Sequence, residues 1–239
     1  KVKKLIEKIK SQKKEIIFGT DDLVYDPEYL KFMDSFKKMN AFEKKLYENG
    51  VGGEILRDPY VKVCTTTTTY LAEKLKTFGK KVFVSKNRLS DKDVETADNI
   101  LKSHPRSNFS AEKENLRVGY FSGFKGHDKD FATIENVLIS ILEKYPKVKL
   151  ILAGPLSVGE KFDRYKDRIE KLPFVPRNKH FENIAGVDIN IIPLEKGNPF
   201  CEAKSELKFF EAGILSVPSV AVENQTYRET IEDGVDGFV

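Results

Sequence analysis

Lys204, Lys208 and Glu211 fall at i, i+4 and i+7 within "CEAKSELKFFEAG" (201–213). On an α-helix that spacing stacks the three side chains in one stripe. Two ammonium groups one turn apart repel each other unless an anion or acid sits between them. A diphosphate satisfies such a pair, and a carboxylate one turn further on suits the paired hydroxyls of a ribose. The same spacing also describes a solvated helix face, where a Lys208–Glu211 pair contributes little. Position favours the first reading. The segment follows the strand-like "VDINII" (187–192), and ligands of open α/β sheets sit outside the carboxyl ends of the strands. Ala203, Leu207, Phe210 and Ile214 recur at i, i+4, i+7 and i+11, which predicts one helix packed on a sheet.

Other segments carry groups of similar chemistry. In "YFSGFKGHDKDF" (120–131) a strand runs into Ser122-Gly123 and then Lys125-Gly126-His127. Glycines there let backbone N–H groups approach a phosphate, and Ser and Lys add donors. His127 fits an exposed turn residue or a ligand contact better than a catalytic base. The turn is neither a P-loop nor G-x-G-x-x-G. "LPFVPRNKHFENI" (172–184) places Val175, Pro176 and Arg177 in a loop against which a planar base could rest. It is equally well a plain connection. "GTDDLVYD" puts Asp21 and Asp22 just after a strand. Such a pair can bind Mg²⁺ through two oxygens, contact an acceptor or cap a turn.

These groups need strands and helices to bring them together. Strand-like runs alternate with helical periodicity throughout, predicting an α/β fold with parallel sheets. In the first part, "EIIFG" (15–19), "VKVCT" (61–65) and "KVFVS" (81–85) read as strands. Between the first two, residues 28–48 read as one long helix opened by Asp26-Pro27-Glu28. A second helix spans 69–79 and stops at Gly79. The aperiodic "SHPRSNFSAEKEN" marks a domain boundary: a first domain over 1–104, a linker over 105–115 and a second domain over 116–239. The second domain opens a clearer doubly wound series, "LRVGYF" (116–121), "VKLILAG" (148–154), "VDINII" and "PSVAV" (218–222). The chain starts without Met and ends in a strand-like "GFV", so both ends read as cut and the first domain as incomplete.

Charged residues make up 33% of the 239, yet the net charge is only +4, too balanced to argue for a nucleic-acid binder. Two cysteines suggest no disulfide framework and a reducing, cytoplasmic setting. No apolar stretch approaches the ~20 residues of a membrane span. Val2, Leu5, Ile6 and Ile9 with intervening lysines form an amphipathic pattern that either covers a sheet or lies peripherally on the inner face of an anionic membrane.

"FCEAKSELKFFEAGILSVPSVAV" resembles the Glu-rich nucleotide-sugar helix of retaining glycosyltransferases with the GT-B fold, of the family 4 type. "VGYFSGFKGHDKDFATIENVLISILEKYPKVKLILAG" is similar to the preceding donor-domain unit, and "VDINIIPLE" and "YRETIEDGVDGFV" extend the likeness to the end. "TDDLVY", "TTTTTYLAEKL" and "VFVSKNRL" resemble the later part of an acceptor domain. The resemblance implies two Rossmann-like domains facing a cleft, and transfer of a hexose from a nucleotide-diphospho-sugar to a hydroxyl of a glycan, lipid-linked or protein acceptor. It implies retention at the anomeric carbon and no required cofactor or metal. Glu211 would hold the ribose. Lys204, Ser205 and Lys208, with Ser122, Gly123 and Lys125, would hold the diphosphate, the lysines stabilising its leaving charge. Asp21 and Asp22 would lie on the acceptor side. The family's usual Glu, seven residues, Glu pattern is broken, because counting back from Glu211 reaches Ala203. Glu202, one position earlier, is the candidate for contact with the transferred sugar. A nucleotide-sugar epimerase and a non-catalytic scaffold module are the alternatives.

Overall fold

The computed structural model describes residues 2–103, 115–123 and 128–239. Two compact units divide it. The first comprises Lys1–Asn87 with Lys196–Ser205 and Asn224–Thr226, and the second comprises Arg88–Glu195, Glu206–Glu223 and Tyr227–Val239.

The first unit begins with α1 (Val2–Ser11), which buries Ile6. It continues through β1 (Ile17–Gly19), α2 (Asp34–Lys38), α3 (Ala41–Tyr47), α4 (Gly53–Arg57), β2 (Val63–Thr66), α5 (Thr69–Lys76) and β3 (Lys81–Val84). The strands form a parallel sheet in the order β1-β2-β3. Helix α1 packs on α4. The single long helix expected over 28–48 does not form. Asp26 caps a 3₁₀ turn over Pro27–Phe32 by accepting from the Glu28 N–H. Extended backbone at Met33, Met39 and Asn40 then divides the remainder. Asn40 and Glu43 form a reciprocal capping box that starts α3 afresh, so local side-chain–backbone bonds outcompete helix propagation. The core of this unit gathers Phe18, Leu23, Tyr25, Leu56, Cys64 and Leu71 with Phe200 and Ala203.

The second unit opens with α6 (Asp91–Ser103). Then come β4 (Leu116–Phe121), α7 (Asp128–Ala132), α8 (Glu135–Lys144), β5 (Val148–Ala153), a 3₁₀ segment over Glu160–Arg168, β6 (Ile169–Leu172), α9 (Arg177–Ala185) and β7 (Ile189–Ile192). After the short α10 (Pro199–Glu202), contributed to the first unit, the chain forms α11 (Leu207–Gly213), β8 (Ser219–Ala221), α12 (Gln225–Arg228) and β9 (Gly237–Phe238). Among the described residues the sheet is parallel throughout, in the order β6-β5-β4-β7-β8-β9. Near-continuous burial of β4 and β5 matches their apolar runs, as expected for strands covered on both faces. One core layer centres on Tyr120, Phe131, Leu142, Leu150 and Phe162, and the other on Phe121, Ile151, Phe181, Ala212 and Leu215. Strand order runs outward from β4 to β6, then restarts from β7 on the other side. The crevice beside the carboxyl end of β4 is therefore a topological switch point.

Candidate nucleotide site

A pocket of about 270 Å³ opens at that switch point in the second unit. Ser122 and Gly123 form one wall, directly after β4, and Gly154 closes the end of β5. Gly154 adopts φ +90°, and a Cβ there would lie 2.0 Å from the Ser122 carbonyl oxygen, so only glycine lets the two turns meet. The Ser122 N–H donates to the Ala153 carbonyl at 2.8 Å and the Gly154 N–H to the Leu172 carbonyl at 3.0 Å, which locks three strand ends together. Among the described residues an added Cβ at Gly123 would meet nothing within 4 Å, leaving room for close approach to its backbone.

The opposite wall comes from α9 and α11. Arg177 and His180, one turn apart on α9, line the pocket with Lys208 and Glu211 of α11. Lys208 Nζ donates to the Phe121 carbonyl at 2.9 Å and lies 5.3 Å from the Tyr120 ring centroid, which holds its charge beside the Ser122–Gly123 turn. Glu211 is buried, with Oε1 accepting from Arg177 Nη1 at 2.8 Å and Oε2 3.5 Å from His180 Nε2. Burial alone pushes its carboxyl up, but His180 and Arg177 outweigh that effect and hold it below the usual range. Glu211 thus presents a fixed carboxylate with remaining acceptor capacity toward the pocket. Phe174 and Val175, after β6, supply an apolar rim, and Phe174 is 71% exposed.

Arg177 is itself anchored by a group the sequence reading missed. Its Nε and Nη2 donate to the two oxygens of Asp93 at 2.6 and 3.1 Å. Asp93 sits in the first turn of α6, accepts from both Ser90 N–H and Ser90 Oγ, and is buried. The Arg177 guanidinium, then the Ser90 donors, drive its carboxyl far below the ordinary aspartate value. Ser90 and Asp93 at i and i+3 carry a capping signal, but no spacing rule links them to Arg177 eighty-four positions on. His180 was also missed, although Arg177 and His180 share a helix face at i and i+3.

The expected single stripe of Lys204, Lys208 and Glu211 is corrected by the helix boundaries. Residues 203–206 lie between α10 and α11, so Lys204 is not on the helix that carries the other two. Asn198 and Pro199 start α10, and a separate start at Glu206 begins α11. Within the first unit, Lys204 Nζ lies 3.8 Å from Asp22, and Ser205 Oγ accepts from Asn87 Nδ2 at 2.9 Å. Glu202 accepts from the Gly197 N–H at 3.3 Å. None of these three lines the pocket above. Lys125 and His127 lie outside the described residues. Asp22 Oδ1 accepts from the Leu23 N–H at 2.6 Å, and Asp21 lines a separate pocket in the first unit. Among the described residues no group of three or more His, Cys, Asp or Glu is placed to hold a metal ion. No described helix is long and apolar enough to cross a membrane.

Two α/β units with parallel sheets, the second carrying a pocket at its switch point, define the fold of GT-B glycosyltransferases. Solved structures that share it include HepE of Anabaena in complex with UDP and glucose (17% identity, 96% of this chain and 58% of that one, TM-score 0.57). WaaG, a glycosyltransferase involved in lipopolysaccharide biosynthesis, matches at 12% identity over 93% and 60% of the two chains, TM-score 0.60. A glycosyltransferase from Rickettsia africae matches at 16% identity over 98% and 65%, TM-score 0.55. The chain spans a little over half the length of HepE and WaaG. No family model and no curated protein sequence matches it.

Proposed function

We propose that the second unit binds a nucleotide-diphospho-sugar and that the protein to which this chain belongs is a glycosyltransferase of the retaining, family 4 type. It transfers a hexosyl group, without a required metal or cofactor, to a hydroxyl of a glycan, lipid-linked or protein acceptor. Cytoplasmic glycan assembly is the proposed setting. One observation carries the reading: Glu211 and Lys208, one turn apart on α11, wall the same pocket as the Ser122–Gly123 turn. The carboxylate takes the ribose diol, and the ammonium and backbone N–H groups take the diphosphate. Val175 and its neighbours face the base. Lys208 stabilises charge growing on the departing diphosphate, an electrostatic role that needs no covalent intermediate. Arg177 positions Glu211. The HepE structure, solved with UDP and glucose, makes UDP the first nucleotide to test.

The test is calorimetric titration, without added metal, of UDP, GDP, ADP, dTDP and CMP. One diphosphate binds the parent. Glu211→Ala weakens that nucleotide and its nucleoside alike, whereas Lys208→Met weakens the diphosphate by about tenfold and leaves the nucleoside unchanged. No binding by a folded parent at millimolar nucleotide overturns the proposal. Equal loss of nucleoside and diphosphate in Lys208→Met removes the role given to that lysine.

A further inference from the structure

The first unit has a pocket of its own. An open hollow of about 330 Å³ lies at the carboxyl ends of β1, β2 and β3. Its polar lining comes from Thr20, Asp21, Thr65, Thr66, Thr67 and Ser85. Backbone bonds fix the floor: Thr20 N–H donates to the Thr65 carbonyl at 3.1 Å, and Ser85 N–H to the Thr66 carbonyl at 2.7 Å. Thr66 is only 3% exposed, and the hydroxyls of Thr66 and Thr67 are both buried without a hydrogen-bond partner among the described residues. A buried hydroxyl left unpaired is unfavourable, and native proteins keep few of them. Both threonines line the hollow, and a χ1 step changes the direction of a hydroxyl while the backbone bonds stay in place.

The lining chooses among ligands. It holds five hydroxyl-bearing side chains and one carboxylate, but no lysine, arginine or histidine. A phosphate or carboxylate ligand would meet Asp21 with no cation in the lining to offset it. A sugar ring suits the set: its hydroxyls donate to Asp21 and both donate to and accept from threonine and serine. We infer that this pocket binds an uncharged saccharide through Asp21, Thr66 and Thr67. On the glycosyl-transfer reading above, the acceptor's terminal group is therefore a neutral sugar rather than a phosphorylated or acidic one.

The experiment is saturation-transfer NMR on the full chain with methyl glucoside, methyl galactoside, methyl mannoside and N-acetylglucosamine, against glucose 6-phosphate and glucuronate. At least one neutral sugar gives a saturable signal and the acidic ones bind more weakly. Thr66→Val keeps the shape of the side chain and removes the orphan hydroxyl, so affinity falls about tenfold while the thermal midpoint holds or rises. Asp21→Asn weakens the neutral sugar and narrows its margin over glucose 6-phosphate. No neutral sugar binding, tighter binding of the acidic sugars, or binding unchanged in Thr66→Val overturns the inference. So does a Thr66→Val midpoint lowered by more than about 5 °C, which would make the hydroxyl structural. UDP titrated in parallel separates the two readings. Nucleotide without sugar sinks the saccharide pocket alone, and sugar without nucleotide sinks the donor site alone.

Discussion

Replacing Asp93 by Asn tests the bracket behind the nucleotide pocket. Asp93 takes two donors of Arg177, and the third donor holds Glu211 at 2.8 Å. Asparagine keeps one acceptor but turns an amide toward the guanidinium and loses the charge. Bonds to charged groups contribute about 1.5–3 kcal/mol each when buried. Arg177 is half exposed, however, so water recovers much of that loss and the cost falls to about 1–2 kcal/mol. For a chain of this size that lowers the thermal midpoint by about 2–8 °C. Arg177→Met should cost more, about 3 kcal/mol, because it strands the Asp93 charge, only 10% exposed, without its cation. Acid dependence supplies a second signature. The Asp93 carboxyl is depressed in the folded protein, so its stabilisation is complete above the ordinary aspartate value of 3.8 and is lost as pH falls below it. The gap between parent and Asp93→Asn should therefore be constant from pH 7 to about 5 and shrink under stronger acid. Urea unfolding across that range, with UDP titration at pH 7 showing a few-fold loss of affinity, measures all three effects. The bracket argument fails if the gap widens on acidification, or if Asp93→Asn costs more than Arg177→Met.

Gly154→Ala forces a Cβ to 2.0 Å from the Ser122 carbonyl at φ +90°. Loss of about 3 kcal/mol in unfolding free energy, together with weaker nucleotide binding, is expected by urea titration and calorimetry. Burial raises the Cys64 thiol and so suppresses its reactive thiolate, and Cys201 is also buried. A colorimetric thiol reagent at pH 8 should label neither cysteine until denaturant is added.

Much of the second unit was legible because its strands are buried on both faces and read as unbroken apolar runs. "LRVGYF" coincides with β4 from end to end. β6, "IEKL", is hidden in the sequence, since the adjacent charges of Glu170 and Lys171 break the apolar pattern of a strand only partly buried at the sheet edge. The α10–α11 split was missed for a different reason. Helical periodicity survives an interruption of four residues, so Ala203 and Leu207 keep the register of one helix although Ala203 lies within the break and Leu207 opens α11. Ala203 instead fills the core of the first unit. At the site, Arg177 and the Ser122–Gly123 turn could be nominated because each opens a helix or follows a strand, and Lys208 and Glu211 because of their helical spacing after the strand-like 187–192. Asp93 could not, because its role depends on a partner brought close only by tertiary packing.

The threading of residues 196–205 through the first unit bears on how the protein is made. Phe200 and Ala203 belong to the interior built mainly by residues 18–82, so a chain severed after position 87 would lack part of its own filling. During translation the ribosome must run on from residue 87 to residue 203 before that interior can close, a delay of roughly 6–23 s at ordinary elongation speeds. Until then the part of that interior beside the Pro27–Phe32 turn, on which α10 packs, stays uncovered, which makes the nascent segment a natural client for chaperones.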